Sequence, residues 1–328
     1  MERETMVDIA LKEVWKMRGG KKLIAVRAGV DVSDVEQLIK ANDERVVDAI
    51  LSLTKMGGKI RTVDTECKKF TMKIIRSALW DRRLYAIFGP TGVGKTTSIE
   101  AAIGELNDPS IAYVRINAFN RNNKFELIRQ ITLGLNLGNP ESSPAYKRRA
   151  GYAIFSKLTE QYTKRRGVVV IDEAQKLAEE TYSVLRDCYD ETALSFCYFG
   201  SPDFRRTLEA RRLDTHPLGE FIGRFDDRYD LPHSSPKDVK LFLEAYSIEV
   251  DTRESKAIAQ KISEWRDIGT LNNAMKIIVG DVHNGEMSWR KVGAGQILDA
   301  IERVRTMMKP DEDEEGDEKD KGSNAAKD

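Results

Sequence analysis

Apolar positions along the 328 residues alternate between short runs and helical stripes. Short runs at 84–88, 111–116, 168–171 and 194–199 have the length of strands, and 228–231 reads as a further strand. The run Val168-Val169-Val170-Ile171 has no polar interruption, which predicts a strand buried on both faces, as in a parallel sheet. Between these runs apolar residues recur at helical spacing. Examples are the segment 67–80, the set Ile99, Ala102, Ile103 and Leu106, the segment 125–135, and the set Tyr146, Ala150, Ile154, Leu158 and Tyr162, which marks a long helix with basic residues at both ends. Strands alternating with helices predict an α/β class with a parallel sheet.

Both flanks read differently. Residues 1–55 are helical in pattern, with Ile9, Ala10, Val14 and Met17 as a first stripe. In KKLIAVRAGVDVSDVEQLIK, 21–40, Ala25 stands where two helices cross closely and Gly29 where a turn needs a positive φ. Val30, Val35 and Leu38 fall where a helix-turn-helix buries its second helix, and a helix over 44–55 closes the module. Two readings of it remain open, DNA contact or a structural or protein-docking role, because its second helix carries Asp34 and Glu36, which phosphates repel. Residues 236–308 read as helices with breaks near Asp251, Gly269, Asn284-Gly285 and Gly293. With the flexible Gly57-Gly58-Lys59 as a boundary, the expected division is 1–58, 59–234, 235–309 and a disordered acidic tail at 310–328.

Charge sharpens this division. The net charge is zero, yet the tail holds nine acidic and three basic side chains, so the remainder is basic by six. Such a body suits a polyanionic partner, although an acidic tail can also be a solvated segment with no partner. Cys67, Cys188 and Cys197 form no C-x-x-C pair, so neither a disulfide framework nor a zinc site is indicated. No apolar run reaches the roughly 18 residues of a membrane span, and the acids in MERETMVDIALKEVW do not fit a signal peptide. The expectation is a soluble, cytoplasmic protein.

The chemistry gathers where strands end. After the run 84–88 comes GPTGVGKT, 89–96, followed by a helical stripe. Gly89, Gly92 and Gly94 let consecutive N–H groups turn toward an anion, and the helix adds its positive end. Pro90, Thr91, Val93 and Thr97 complete the predicted loop contacts; Lys95 supplies charge for the β/γ-phosphates and Thr96 a hydroxyl for Mg²⁺. VVVIDE, 168–173, places Asp172 at a strand's carboxyl end to hold Mg²⁺ through water, and Glu173 beside it to polarise the attacking water. The strand 194–199 ends in Gly200-Ser201, which puts a hydroxyl at the same edge to orient water near the γ-phosphate. Arg224 and Arg228 flank a later strand and are candidates for reaching a neighbouring subunit's nucleotide.

In this order, GPTGVGKT, VVVIDE, a strand ending FGS, GRF and a trailing helical region resemble the AAA+ ATPases. With the N-terminal helix-turn-helix, the chain most resembles the transposition ATPases of the phage Mu B type and, more loosely, those of the Tn-seven-type transposons, over roughly residues 20–305. The resemblance implies an AAA+ P-loop core and helical lid behind a small all-α domain, with ATP and Mg²⁺ as ligands. It makes Lys95 and Thr96 the phosphate and metal residues, Asp172 and Glu173 the Walker B pair, Ser201 the sensor-one residue and Arg224 an arginine finger. Asn272 in GTLNNAMKII stands where these relatives carry a sensor-two arginine, with Lys276 one turn along as the substitute. Such relatives form ATP-dependent homo-oligomeric filaments or rings on double-stranded DNA without reading sequence, recruit or activate a transposase, and disassemble on hydrolysis. The resemblance assigns DNA contact to Arg121, Lys124, Lys147, Arg148 and Arg149. Alternative functions with similar motif order are a helicase-loader or replication ATPase, and a nucleotide-switched interaction protein that binds no DNA.

Overall fold

The computed structural model describes residues 63–137, 150–210 and 219–308 apart from 226 and 247, together with parts of 11–50. Two compact units result. One comprises Met56–Ala245 with Arg266–Gly269; the other comprises Met1–Lys55, Tyr246–Trp265 and Thr270–Asp328.

The first unit is a parallel five-stranded sheet in the order β2-β3-β4-β1-β5, from β1 (Leu84–Phe88), β2 (Ile111–Arg115), β3 (Gly167–Asp172), β4 (Leu194–Gly200) and β5 (Asp227–Asp230). All residues of β1, β3 and β4 are buried, as their apolar runs predict. Alternation along each strand then sorts the side chains into two cores. Leu84, Ala86, Phe88, Val169, Ile171, Phe196 and Tyr198 face one side. Packed there are α4 (Lys124–Gly134), α5 (Ala150–Tyr162), α6 (Glu179–Glu191), α7 (Pro202–Ala210) and α8 (Gly219–Gly223). Tyr85, Ile87, Val168, Val170, Cys197 and Phe199 face the other side, against α2 (Glu66–Trp80) and α3 (Lys95–Leu106). Of the stripe read on α3, Ile99 and Ala102 are buried while Ile103 and Leu106 are partly so. The chain leaves the sheet through α9 (Pro236–Glu244), which opens on a capping box at Ser235 and Asp238.

In the second unit, Ile24, Ala25, Ala28, Val30, Val35, Val46, Ala49 and Ile50 form a small core around α1 (Val35–Lys40). The backbone N–H of Val30 donates to the Ala25 carbonyl at 2.9 Å, which closes the turn before α1. Gly29, the glycines at 57 and 58 and the acidic tail lie outside the described residues. Further on are α10 (Thr252–Ser263), α11 (Ile268–Asn284) and α12 (Ala294–Met308). Asp251 caps α10, the turn 264–267 separates α10 from α11 just before Gly269, Gly285 follows α11 with φ 79°, and Gly293 precedes α12, so the four expected breaks stand near where the pattern put them. Gly269 itself stands just past its break. It lies in the first turn of α11, for a reason found at the phosphate loop.

Candidate functional site

The loop after β1 bends as its glycines permit. Gly92 and Gly94 have φ of 91° and 94°, where an L side chain is strained, and Gly94 caps α3. Val93 is buried beneath the loop, while Thr91 and Thr97 are exposed. The Lys95 ammonium donates to the carbonyls of Gly89 at 2.7 Å and Pro90 at 2.9 Å. Burial pushes its pKa down, opposed by the charges of Glu173 and Asp172.

Asp172 continues the Val168, Val170 face of β3, which is why it meets α3. Its carboxylate accepts the Thr96 hydroxyl at 2.7 Å, the Tyr113 hydroxyl at 3.2 Å and the Glu173 N–H at 2.8 Å. Tyr113 was not singled out in the sequence; β2 pairs it with Val170, on the same face as Asp172. Burial and the Asp172 charge push its phenol well above the ordinary value. Glu173 leaves the strand with φ 61°, and its carboxylate accepts from Lys176 at 2.9 Å and Gln175 at 2.9 Å, with Arg115 at 4.0 Å. Burial raises its pKa, but Lys176, Arg115 and Lys95 outweigh that and hold it below the usual carboxylate value.

Gln175 is a second residue that sequence reasoning missed. Besides donating to Glu173 it accepts the Ser201 N–H at 3.2 Å, and so bridges the ends of β3 and β4. The Ser201 hydroxyl is buried without a hydrogen-bond partner. A third missed group is Arg266–Gly269. The Gly269 N–H donates to the Gly92 carbonyl at 2.8 Å, and a Cβ on Gly269 would stand 2.9 Å from the Gly92 Cα, so close approach to the loop demands glycine there. Buried Asp267 secures the segment by accepting from Ser234 N–H at 3.0 Å and Ile268 N–H at 2.8 Å and by pairing with the His233 ring at 2.8 Å.

Other predicted positions lie apart from this cluster. Arg224 immediately precedes β5 and therefore sits at the amino end of the parallel sheet, opposite its own phosphate loop; it is ion-paired with Asp190 of α6. Arg228 lies on β5 itself, with its guanidinium 3.5 Å from the Ile222 carbonyl. Asn272 is half-buried and Lys276 exposed, its ammonium 3.3 Å from Asn273. Arg121 and Lys124 are exposed in the loop after β2 and at the start of α4. Lys147, Arg148 and Arg149 lie outside the described residues. In the N-terminal module the acids held to face phosphate are already paired: Arg290 with Asp31 at 2.6 Å and with Asp34, and Lys21 with Glu36 at 2.9 Å.

The residues present fit a magnesium nucleotide. Thr96 and Asp172, the two oxygens that would hold Mg²⁺ directly or through water, are 2.7 Å apart, and the Ser201 hydroxyl lacks the partner that buried hydroxyls ordinarily find. When bound, Mg²⁺ offsets charge on the β/γ-phosphates. Lys95 would neutralise the same groups, and Glu173, at a strand end, would polarise water.

A parallel sheet with a phosphate loop after β1, an acidic pair after β3, a polar side chain after β4 and β4 inserted between β1 and β3 is the AAA+ P-loop fold. Residues 80–208 match the family model described as "AAA domain". AAA+ ATPases use ATP with Mg²⁺. Among curated proteins, the chaperone protein ClpB of Tropheryma whipplei is 34% identical over 125 residues, 38% of this chain and 16% of that protein. ClpB of Mycobacterium tuberculosis is 34% identical over 161 residues, 44% of this chain and 17% of that protein. The chain thus spans less than a fifth of the length of these relatives. Among solved structures, Cdc6p from Pyrobaculum aerophilum aligns with a TM-score of 0.50 at 16% identity, covering 70% of this chain and 65% of that one, a likeness of fold. Among the described residues, no helix is long and apolar enough to cross a membrane, and the three cysteines are free and buried.

Proposed function

We propose that this protein hydrolyses ATP to control its own assembly on duplex DNA, where it recruits or activates a transposase. The observation that carries the reading is the placement of two surfaces at one end of one sheet. The nucleotide residues stand at the carboxyl ends of β1, β3 and β4, and the cations Arg121 and Lys124 follow the carboxyl end of neighbouring β2. The Arg121 carbonyl accepts the Ala178 N–H at 2.9 Å and the Thr181 hydroxyl at 3.1 Å, tying that loop to the segment just after Glu173. Nucleotide state and DNA contact thereby share a backbone connection.

Arg224 supports self-assembly, since its place at the amino end leaves a neighbouring subunit's nucleotide as the one it would serve. Residues 235–309 act as the helical lid and 1–58 as a helix-turn-helix module. With its acids paired to Arg290 and Lys21, that module is a docking element first and a DNA contact second.

Electron microscopy with ATP and linear duplex tests the reading. Filaments or rings are expected only when both are present, and their absence defeats it. Preference for single-stranded over duplex DNA turns the reading toward a helicase-loader or replication ATPase. Failure to retain any DNA with any nucleotide leaves a nucleotide-switched interaction protein.

A further inference from the structure

Phe119 is 84% exposed, more than Trp80, Tyr152 or Met307, the other large apolar side chains in water among the described residues. A loose loop would let such a ring fold back, but this loop is built. Asn120 is fully buried, accepts the Asn117 N–H at 2.7 Å, and donates to the Arg115 carbonyl and to Gln130, each at 2.9 Å. Asn117 in turn accepts the Phe119 N–H at 2.8 Å. Asn123 caps α4 by accepting the Glu126 N–H at 3.1 Å, and Ala178 and Thr181 hold the Arg121 carbonyl. The backbone on both sides of the ring is fixed while the ring points to solvent.

Charge along the loop that carries the ring has one sign, while the exposed Glu179 and Glu180 stand at the neighbouring start of α6. Residues 117–125 contain no acid, and Arg121 and Lys124 are exposed without an ion pair among the described residues. Glu126, the nearest carboxylate in the sequence, is turned into a two-point pair with Arg129 at 2.8 and 2.9 Å, which holds it below the usual carboxylate value. An exposed aromatic ring followed by two cations without an ion pair among the described residues matches a ligand that alternates flat rings with phosphates.

Resting on the DNA-binding reading above, we infer that residues 117–124 form a nucleobase-stacking element: Phe119 lays its ring against a base while Arg121 and Lys124 hold flanking phosphates. The base is unpaired in a single strand, or belongs to a duplex step opened by the ring.

The test uses the full chain with a non-hydrolysable ATP analogue and single-stranded and duplex oligonucleotides carrying 2-aminopurine. Phe119→Ala should weaken binding roughly tenfold or more, the loss typical of removing a stacking aromatic, and abolish the 2-aminopurine response. Phe119→Trp should keep both. Because no charge is removed, the slope of log K against log salt should stay at the wild-type value, whereas the Arg121→Ala, Lys124→Ala double variant should lower it by about 0.9 per lost contact. A loss larger on the single strand identifies stacking on unpaired bases, and an equal loss on duplex identifies insertion at a step. The stacking role is overturned, with the DNA reading intact, if Phe119→Ala binds and perturbs 2-aminopurine as wild type does while the double variant lowers the slope. Loss of unfolded casein binding with DNA binding kept assigns the ring to peptide and overturns it too. If wild type binds neither DNA with any nucleotide, the DNA reading and this inference fall together.

Discussion

Two neighbouring stretches of the same sheet edge treat polar side chains in opposite ways. At the ends of β1, β3 and β4, Asp172 is fully buried and Lys95 is 9% exposed, each holding two or more polar contacts. At the end of β2, Arg121 and Lys124 stand in water beside an exposed Phe119, and only the loop's backbone and Asn120 are tied down. The first stretch is organised as chemistry requires, since buried partners act at full strength in a low dielectric. The second, on the proposed reading, would serve contact, since exposed cations steer and hold a polyanion while costing the fold little. Removing a group should therefore abolish function in one stretch and only scale it in the other.

The largest break in this contrast is Lys95→Ala. With no compensating charge for the phosphates, ATP binding should be lost, and DNA assembly with it; isothermal titration at near-normal affinity would remove Lys95 from the site. Arg224→Ala comes next, with monomer ATP binding kept and assembled hydrolysis reduced by about 10³ or more, the size of an arginine-finger effect. Mixing it with Lys95→Ala protein should restore some turnover at mixed interfaces, and no recovery at any ratio counts against action in trans.

Glu173→Gln should bind ATP but hydrolyse it some 10²-fold or more slowly, because an amide cannot polarise water while Asp172 keeps the metal. Its DNA complexes should outlive those of wild type, and equal lifetimes would separate hydrolysis from release. A smaller effect is expected from Asn120→Ala. It strands a buried N–H and a carbonyl, so urea melts should show about 1–3 kcal/mol of lost stability. DNA affinity should fall further than ATP affinity, and an equal fall in both would erase the distinction between the two stretches.

Much of the molecule was legible because its signals are local. Continuous apolar runs marked β1, β3 and β4, and helical stripes marked α2 to α5. The glycine spacing announced a loop whose Gly92 and Gly94 do take positive φ. The acids at the end of β3 could be placed on the same edge as that loop because the carboxyl ends of all strands of a parallel sheet lie on one edge.

What the chain order alone determined, then, was which elements form and which residues the proposed phosphate and metal chemistry rests on. Only the folded arrangement decided the partners. Tyr113 reaches Asp172 across 59 residues, and Gln175 joins Ser201 across 26. Gly269 marked a break between helices, but nothing in the pattern showed that its N–H is held by the Gly92 carbonyl. Arg224 read as a free cation but is paired with Asp190, and Asp34, read as repelling phosphate, is paired with Arg290. The physical reason is common to all five. Periodicity reports which face of an element is buried, whereas a side chain's partner depends on strand order and on which loops converge, and neither leaves a mark at the residue itself.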